Sequence, residues 1–416
     1  MKKFEITKHW GRLVGIRPIK TATRLMAEGK TAAEIISYFT DKFETTLEIA
    51  ELALTVAQTE KPIIDASDPK GVSLYIHIPF CPSRCFYCSF SSPQSSHATH
   101  LIPEYLQALH KELDAALFII NRNKNIVETI YIGGGTPTVL DAAQLDALLS
   151  KLSHIKAKEF TVEAGRPDTI TREKLEILKR HNVTRISINP QTMDDETLVR
   201  IGRKHTSEQT RAAIAEARKC GFDNINMDMI AGLPGETFDT FRRTLEEICA
   251  LSPENITVHA MCVKRTSDLN FDLRGKAGAI RGTNPSITSN PNIESDENSA
   301  DLTRGDEVAR MVKFSRETLT ERGYTPYYLY RQKHTLGDCE NVGYSKPGFE
   351  GIYNIHMMSE IQTIIAIGAG SVTKFVDSRN SNIERIFNVK EAIDYINRID
   401  EMIERKNLLI EISGNL

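Results

Sequence analysis

Along the middle of this chain, apolar residues gather in short runs separated by longer stretches with three- and four-residue apolar spacing. The runs are Val72–Ile78, Val127–Ile132, Phe160–Glu163, Arg185–Ile188, Asn224–Ile230 and Ile256–His259. Between them lie amphipathic segments of helical length: Pro103–Phe118, Ala142–Leu152, Arg172–His181, Glu208–Cys220 and Thr237–Leu251. Strands alternating with helices imply right-handed crossovers and a parallel sheet, so the fold class is α/β. Six strands are too few for a closed eightfold barrel, which leaves a partial (β/α)6 barrel or an open doubly wound sheet.

The flanks carry different patterns. Residues 1–65 have helical periodicity: a segment from Ala22 stopped by Gly29, one capped by Thr31 over Ala32 to Phe43, and a third to about Gln58. They predict a small N-terminal helical region with no chemistry of its own. Pro62, Pro69 and Gly71 mark its boundary with the α/β domain, residues 71–265. Residues 266–304 lose all periodicity, are dominated by Gly, Asn, Ser, Thr and Asp, and predict a low-complexity mobile insertion. Residues 305–416 predict a C-terminal α/β extension. It holds a helix near Glu307–Arg322, an aromatic run Tyr324–Tyr330, apolar Ile364–Ile367 before Gly368-Ala-Gly370, and a charged helix from Val389 to about Lys406.

At 416 residues the chain accommodates two or three domains, or one large α/β barrel with additions. A net charge of −3 provides no global field for nucleic acid or a membrane surface. The start, Met1-Lys-Lys-Phe-Glu-Ile6, has no apolar signal core, and no run approaches the ~18 apolar residues of a membrane span. The expected location is therefore cytoplasmic, where seven cysteines favour metal or redox chemistry over disulfides. Cys220, Cys249 and Cys339 are isolated and read as buried thiols.

The unusual residues all fall at the carboxyl ends of the predicted strands, the face where parallel α/β folds build their sites. Cys81, Cys85 and Cys88, spaced C-x3-C-x2-C, follow the first strand, and Gly133-Gly-Gly-Thr-Pro-Thr138 follows the second. Glu163-Ala-Gly-Arg166 ends the third, Asn189-Pro-Gln191 follows the fourth, Asp228 lies late in the fifth, and His259 to Arg265 ends the sixth. A structural zinc prefers four ligands in paired knuckles, whereas a cubane held by three thiolates keeps one iron open to a substrate. The glycines make either a tight turn or a place where the backbone approaches a ligand with no Cβ in the way. No Gly-Lys-Ser/Thr follows them, which argues against a nucleoside triphosphate. Glu163 is either a ligand acceptor or half of a salt bridge, and Asp228 has the same two readings. His77 is as compatible with a packed core as with a site.

With these residues in view, the sequence resembles the radical S-adenosylmethionine superfamily. C-x3-C-x2-C with an aromatic residue, Tyr87, before the last cysteine is its signature. The stretches Tyr75-Ile-His-Ile-Pro-Phe-Cys81, Gly133-Gly-Gly-Thr-Pro-Thr138 and Asp228-Met-Ile-Ala-Gly-Leu-Pro-Gly235 are similar to the oxygen-independent coproporphyrinogen III dehydrogenase branch. Val162-Glu-Ala-Gly-Arg-Pro-Asp168, Tyr328-Leu-Tyr-Arg-Gln332 and Glu340-Asn-Val-Gly-Tyr-Ser-Lys-Pro-Gly348 resemble its HemZ subgroup.

That resemblance implies a partial (β/α)6 barrel in which Cys81, Cys85 and Cys88 hold a 4Fe–4S cluster that binds S-adenosylmethionine. Tyr75, Gly134, Gly135, Thr136 and Glu163 would serve that cofactor. Tyr87, Gly135, Thr136, Gln191, Arg203 and Asp228 match the positions of a second S-adenosylmethionine. The implied reaction is oxidative decarboxylation of two coproporphyrinogen III propionates to vinyls, with a flavodoxin or ferredoxin as electron donor. Arg166, Arg203, Lys264 and Arg265 are expected around the mouth as cations for propionates. The alternatives are another radical reaction on a tetrapyrrole, such as methyl transfer or ring opening, and a haem chaperone of the HemW type. In the chaperone reading the haem-binding stretch aligns with Tyr353–Met358, leaving His356 and Met357 as ligands or as packing residues.

Overall fold

The computed structural model describes residues 9–13, 15, 17–88, 99–262, 297–333, 335–377 and 382–414. All six predicted strands form: β1 Gly71–Ile78, β2 Ile126–Gly134, β3 Glu159–Gly165, β4 Arg185–Ile188, β5 Ile225–Ala231 and β6 Asn255–Ala260. Each pairs in parallel with the next, in sequence order, as right-handed crossovers require. Their near-continuous burial explains why they read as apolar runs rather than as alternating ones. Helices Ile102–Arg122, Ala142–Ser150, Arg172–Arg180, Ser207–Lys219 and Phe238–Ala250 return the chain between strands. Their starts are set locally. Asp141 and Gln144 form one capping box, Thr206 and Gln209 another, and Thr171 and Thr237 cap through their hydroxyls.

The C-terminal residues do not stand apart from this sheet; they lengthen it at both edges. β7 Thr325–Arg331 and β8 Glu340–Ser345 add beyond β6, with β8 antiparallel to it. β9 Thr363–Ile367 pairs in parallel with β1 and is followed by antiparallel β10 Val372–Asp377 and β11 Asn382–Phe387. Among the described residues the result is one sheet of eleven strands, with the six parallel strands of a partial barrel at its centre.

Several boundaries differ from the sequence reading. The third N-terminal helix runs Leu47–Asp65, so Pro62 lies inside it rather than beyond its end. Pro62 falls in the last turn, where one missing N–H is tolerated because the apolar face Ile49–Ala57 is already buried. The helix capped by Thr31 ends at Ser37 and widens into a π-turn, Tyr38–Lys42. The helix expected from Glu307 starts at Glu297, inside the stretch read as an insertion; residues 263–296 lie outside the described residues. The terminal helix is two, Ala392–Asn397 and Ile399–Gly414, broken at Arg398.

The N-terminal region is tied to the far edge of the sheet. The Trp10 indole is fully buried and donates to Glu340 Oε2 at 2.8 Å, while the Arg331 guanidinium lies 5.0 Å from its ring centre. Arg316 stands 3.6 Å from the other Glu340 oxygen. A hydrogen bond to a buried carboxylate is worth about 1.5–3 kcal/mol. Trp10→Phe keeps the apolar contact and deletes the donor, so chemical denaturation followed by circular dichroism is expected to show a loss of about that size. An unchanged midpoint would show that the indole N–H does not anchor this region.

Candidate active site

The cysteine loop leaves β1 at the carboxyl end of the sheet and is pinned from two sides. On one side, Gly135 N donates to Ile78 O at 2.8 Å, Thr136 N to Phe80 O at 2.7 Å, and the Thr136 hydroxyl lies 3.5 Å from Cys81 Sγ. On the other, Phe86 N donates to Ile201 O at 3.1 Å and Ser83 Oγ to Gly202 O at 3.2 Å. Cys85 is buried, and Cys81 and Cys88 are half-buried. All three line a cavity of about 430 Å³ inside the strand ends.

The glycines after β2 are required by close packing rather than by a turn alone. A Cβ on Gly135 would lie 2.5 Å from Phe80 O, and one on Gly134 would lie 1.9 Å from the His77 ring. Gly134 also has φ +111°, a backbone conformation closed to most side chains. His77 is thus a packed residue that seats the glycine run, with its pKa pushed down to about 4 by burial.

Every residue expected to contact a cofactor reaches the same cavity. Tyr75, Tyr87, Gly134, Gly135, Thr136, Glu163, Gln191, Arg203 and Asp228 all line it, although they come from five strand ends. Gln191 sits in the left-handed region at φ +69°, held by Gln191 N to Asp228 O and Ile230 N to Gln191 O, both at 3.0 Å. Its Oε1 has no hydrogen-bond partner, nor has Arg203 Nε, although both residues are buried. Such orphaned groups fit a polar ligand that completes them.

The two cavity carboxylates differ. Burial pushes Glu163 up to about 7, with Asp228 adding to the rise and Tyr131 Oη, donating at 2.6 Å, opposing it. Burial also acts to raise Asp228, but His259, at 3.8 Å, and Asn226, donating at 2.8 Å, outweigh it and hold that carboxyl below its ordinary range.

The expected propionate cations fare differently. Arg166 lines the cavity but is only 2% exposed. Its Nε and Nη2 bind Asp168 at 3.0 and 2.8 Å, and Nη1 binds Ser83 of the cysteine loop. Its charge is already paired, so its position suits a brace for that loop better than an open carboxylate receptor. Lys264 and Arg265 lie outside the described residues. His356 is buried, with Nε2 3.0 Å from Ser67 Oγ, and packs near Glu128, toward the amino end of β2. Met357 Sδ faces Lys374 Nζ at 2.9 Å. Neither lines the cavity.

Sequence reasoning missed an aromatic floor. Tyr353 stacks on Tyr131, with centroids 4.5 Å apart, and Tyr131 and Tyr75 face the cavity beside it. The signal for Tyr131 was its place two residues before Gly133, on the same face of β2. Tyr353, and Tyr330, whose hydroxyl lies 3.2 Å from His259 of β6, come from segments brought in by the C-terminal strands. Among the described residues, no three His, Cys, Asp or Glu side chains converge on one point as a single metal ion demands. The thiolates of a cubane bind different irons, so their spread over the loop is compatible with a cluster.

A partial α/β barrel with a three-cysteine loop over a polar cavity defines a class in which a cluster-borne cofactor meets substrate inside the strand ends. Residues 75–248 match the family model of the radical SAM superfamily. The chain is 37% identical to the oxygen-independent coproporphyrinogen-III oxidase-like protein HemZ of Bacillus subtilis over 98% of this chain and 78% of that protein. It is 30% identical to the heme chaperone HemW of Lactococcus lactis, covering 82% of this chain and 80% of the relative. Coproporphyrinogen III oxidase HemN of Escherichia coli, a radical SAM enzyme, shares the fold with a TM-score of 0.57 at 22% identity, covering 83% of this chain and 73% of that one. The chain belongs to the radical SAM superfamily, in the coproporphyrinogen III oxidase branch that holds HemZ and HemN. The family works with a 4Fe–4S cluster and S-adenosylmethionine. No helix among the described residues is long and apolar enough to cross a membrane.

Glu163 makes a pH test possible. Its folded pKa, about 7, lies above the ordinary 4.5, so the folded state holds the proton more tightly than the unfolded chain. Stability therefore falls as pH rises from about 4.5 to 7, then levels. Urea midpoints at pH 5 and pH 8 are expected to differ less in Glu163→Gln than in the wild type. Equal differences in both would show that Glu163 ionises normally.

Proposed function

We propose that this protein is a radical SAM oxidoreductase acting on a tetrapyrrole, with coproporphyrinogen III the preferred substrate and protoporphyrinogen IX the product. The observation that carries the reading is the convergence of three cysteines and nine polar or glycine positions on one cavity. The full-length similarity to HemZ supplies the substrate class. In this reading Cys81, Cys85 and Cys88 hold the cluster, which with S-adenosylmethionine supplies one-electron reduction and hydrogen abstraction.

The chain's own residues bind, orient and exclude water. Gly134, Gly135 and Thr136 offer backbone groups to the cofactor's amino-acid end, and Tyr75 and Glu163 border the same space. Gln191, Arg203, Asp228 and Tyr87 form a second polar group across the cavity, suited to a second S-adenosylmethionine or to the substrate's edge. Arg166 braces the cysteine loop through Ser83. A flavodoxin or ferredoxin is the proposed electron donor.

A haem-chaperone role is less well supported. His356 and Met357, the residues left in the aligned haem-binding stretch, are engaged by Ser67 and Lys374 away from the cavity.

Anaerobic turnover of the reconstituted protein with coproporphyrinogen III and a reductant tests the proposal. Mass spectrometry is expected to find protoporphyrinogen IX, carbon dioxide and 5′-deoxyadenosine, and none of the three with Cys85→Ala. Cofactor cleavage with an unaltered tetrapyrrole would sink the assignment of substrate. A Soret band that shifts on replacing His356 would restore the chaperone reading.

A further inference from the structure

Glu112 lies fully buried in helix Ile102–Arg122, where a carboxylate is costly unless its oxygens are satisfied. Four donors meet it: Lys406 Nζ, Tyr395 Oη, Asn388 Nδ2 at 2.7 Å and Gly368 N at 2.8 Å. Lys406 is itself 1% exposed and also donates to Asn388 Oδ1 at 3.0 Å. The terminal helix Ile399–Gly414 is thereby locked to helix Ile102–Arg122 and to the turn that follows β9. None of residues 388–406 lines the cavity.

The turn, however, touches the site through His77. Tyr105 Oη donates to His77 O at 2.8 Å and accepts from Ala369 N at 3.0 Å. Gly368, at φ +97°, presses so closely that a Cβ there would lie 2.5 Å from His77 O. On its other side the His77 ring meets Gly134, where a Cβ would lie 1.9 Å away. Packing between these two glycine segments therefore helps to set the His77 ring, and the Ala369 backbone lies within its reach.

We propose that the Glu112–Lys406 hub is a positioning device for the cofactor site. Through Gly368–Ala369 and Tyr105 it clamps His77, and His77 holds Gly133–Thr136 in the conformation that faces the cavity. The inference rests on the reading above that this glycine run receives S-adenosylmethionine. It adds that residues near position 400, outside the cavity, set how well the run does so.

Tyr105→Phe is the sharpest probe, because it deletes one oxygen and unpairs no charge. Two readouts apply: hydrogen exchange over residues 131–137 in the protein without cofactor, and the S-adenosylmethionine Kd of the reconstituted protein by equilibrium dialysis. The expected result is faster exchange over 131–137 and about threefold to thirtyfold weaker binding, the span of coupling through packed networks. Lys406→Met is expected to move both in the same direction, with a larger fall in Tm from the unpaired Glu112. Ile120→Val, buried in the same helix but off this chain of contacts, is expected to lower Tm and move neither. If Tyr105→Phe lowers Tm while exchange and Kd stay at wild-type values, the hub is structural only and the proposal is wrong. Absence of tetrapyrrole turnover in the wild type would count against the proposed function and leave the exchange result to decide this one.

Discussion

The site depends on a steric constraint: β1, β2 and β9 end so close together that one partner of each tight contact there carries no β-carbon. Gly134 abuts the His77 ring, Gly135 abuts Phe80 O and the Cys81 sulfur, and Gly368 abuts His77 O. These contacts let the cysteine loop fold down over the cavity while its backbone N–H and C=O groups pair with the neighbouring strand end. Any side chain there would have to displace backbone, which protein interiors packed at crystal-like density do not absorb cheaply. The loop can then offer three thiols to one space without flexing. Preorganisation of that kind matters wherever a reactive species must be directed at one substrate atom and kept from water.

Around that constraint the electrostatics are layered. Two buried charges are paired within the protein: Arg166 with Asp168, and Glu112 with Lys406. Groups facing the cavity are left partly unmatched, as Gln191 Oε1 and Arg203 Nε are. Leaving a buried polar atom without a partner is costly, and a ligand that reaches the cavity atoms can remove that cost on binding.

The central sheet was legible in the sequence because strands buried on both faces read as unbroken apolar runs, and amphipathic spacing marked the helices between them. The cysteine spacing and the glycine run were legible for the same local reason: their chemistry is written in consecutive residues. What the sequence hid was long-range. β8 lies against β6 and β9 against β1, and pairing across some 80 to 290 residues leaves no periodic mark. Tyr353 under Tyr131, and Trp10 on Glu340, are consequences of that pairing. The reading of Arg166 as an open cation overlooked Asp168, two residues on, whose carboxylate was close enough in sequence to claim it.

Glu163 and Asp228 show how much of the site's chemistry is set by neighbours rather than residue type. Both are carboxylates on adjacent parts of one cavity, and burial acts to raise the pKa of each. Asp228 has His259 and Asn226 beside it and stays charged; Glu163 has a phenol, a single backbone N–H and the charge of Asp228, and sits near neutrality. The charge of Asp228 makes it costlier for Glu163 to ionise. A positively charged ligand changes that balance: it finds Asp228 already ionised and draws Glu163 toward the charged form. The pair gives one part of the cavity an acidic lining that suits a cationic group, while Arg203 supplies positive charge elsewhere in the same cavity. The carboxylates of a tetrapyrrole would have to be met nearer the rim, where the described residues leave Arg166 committed to Asp168.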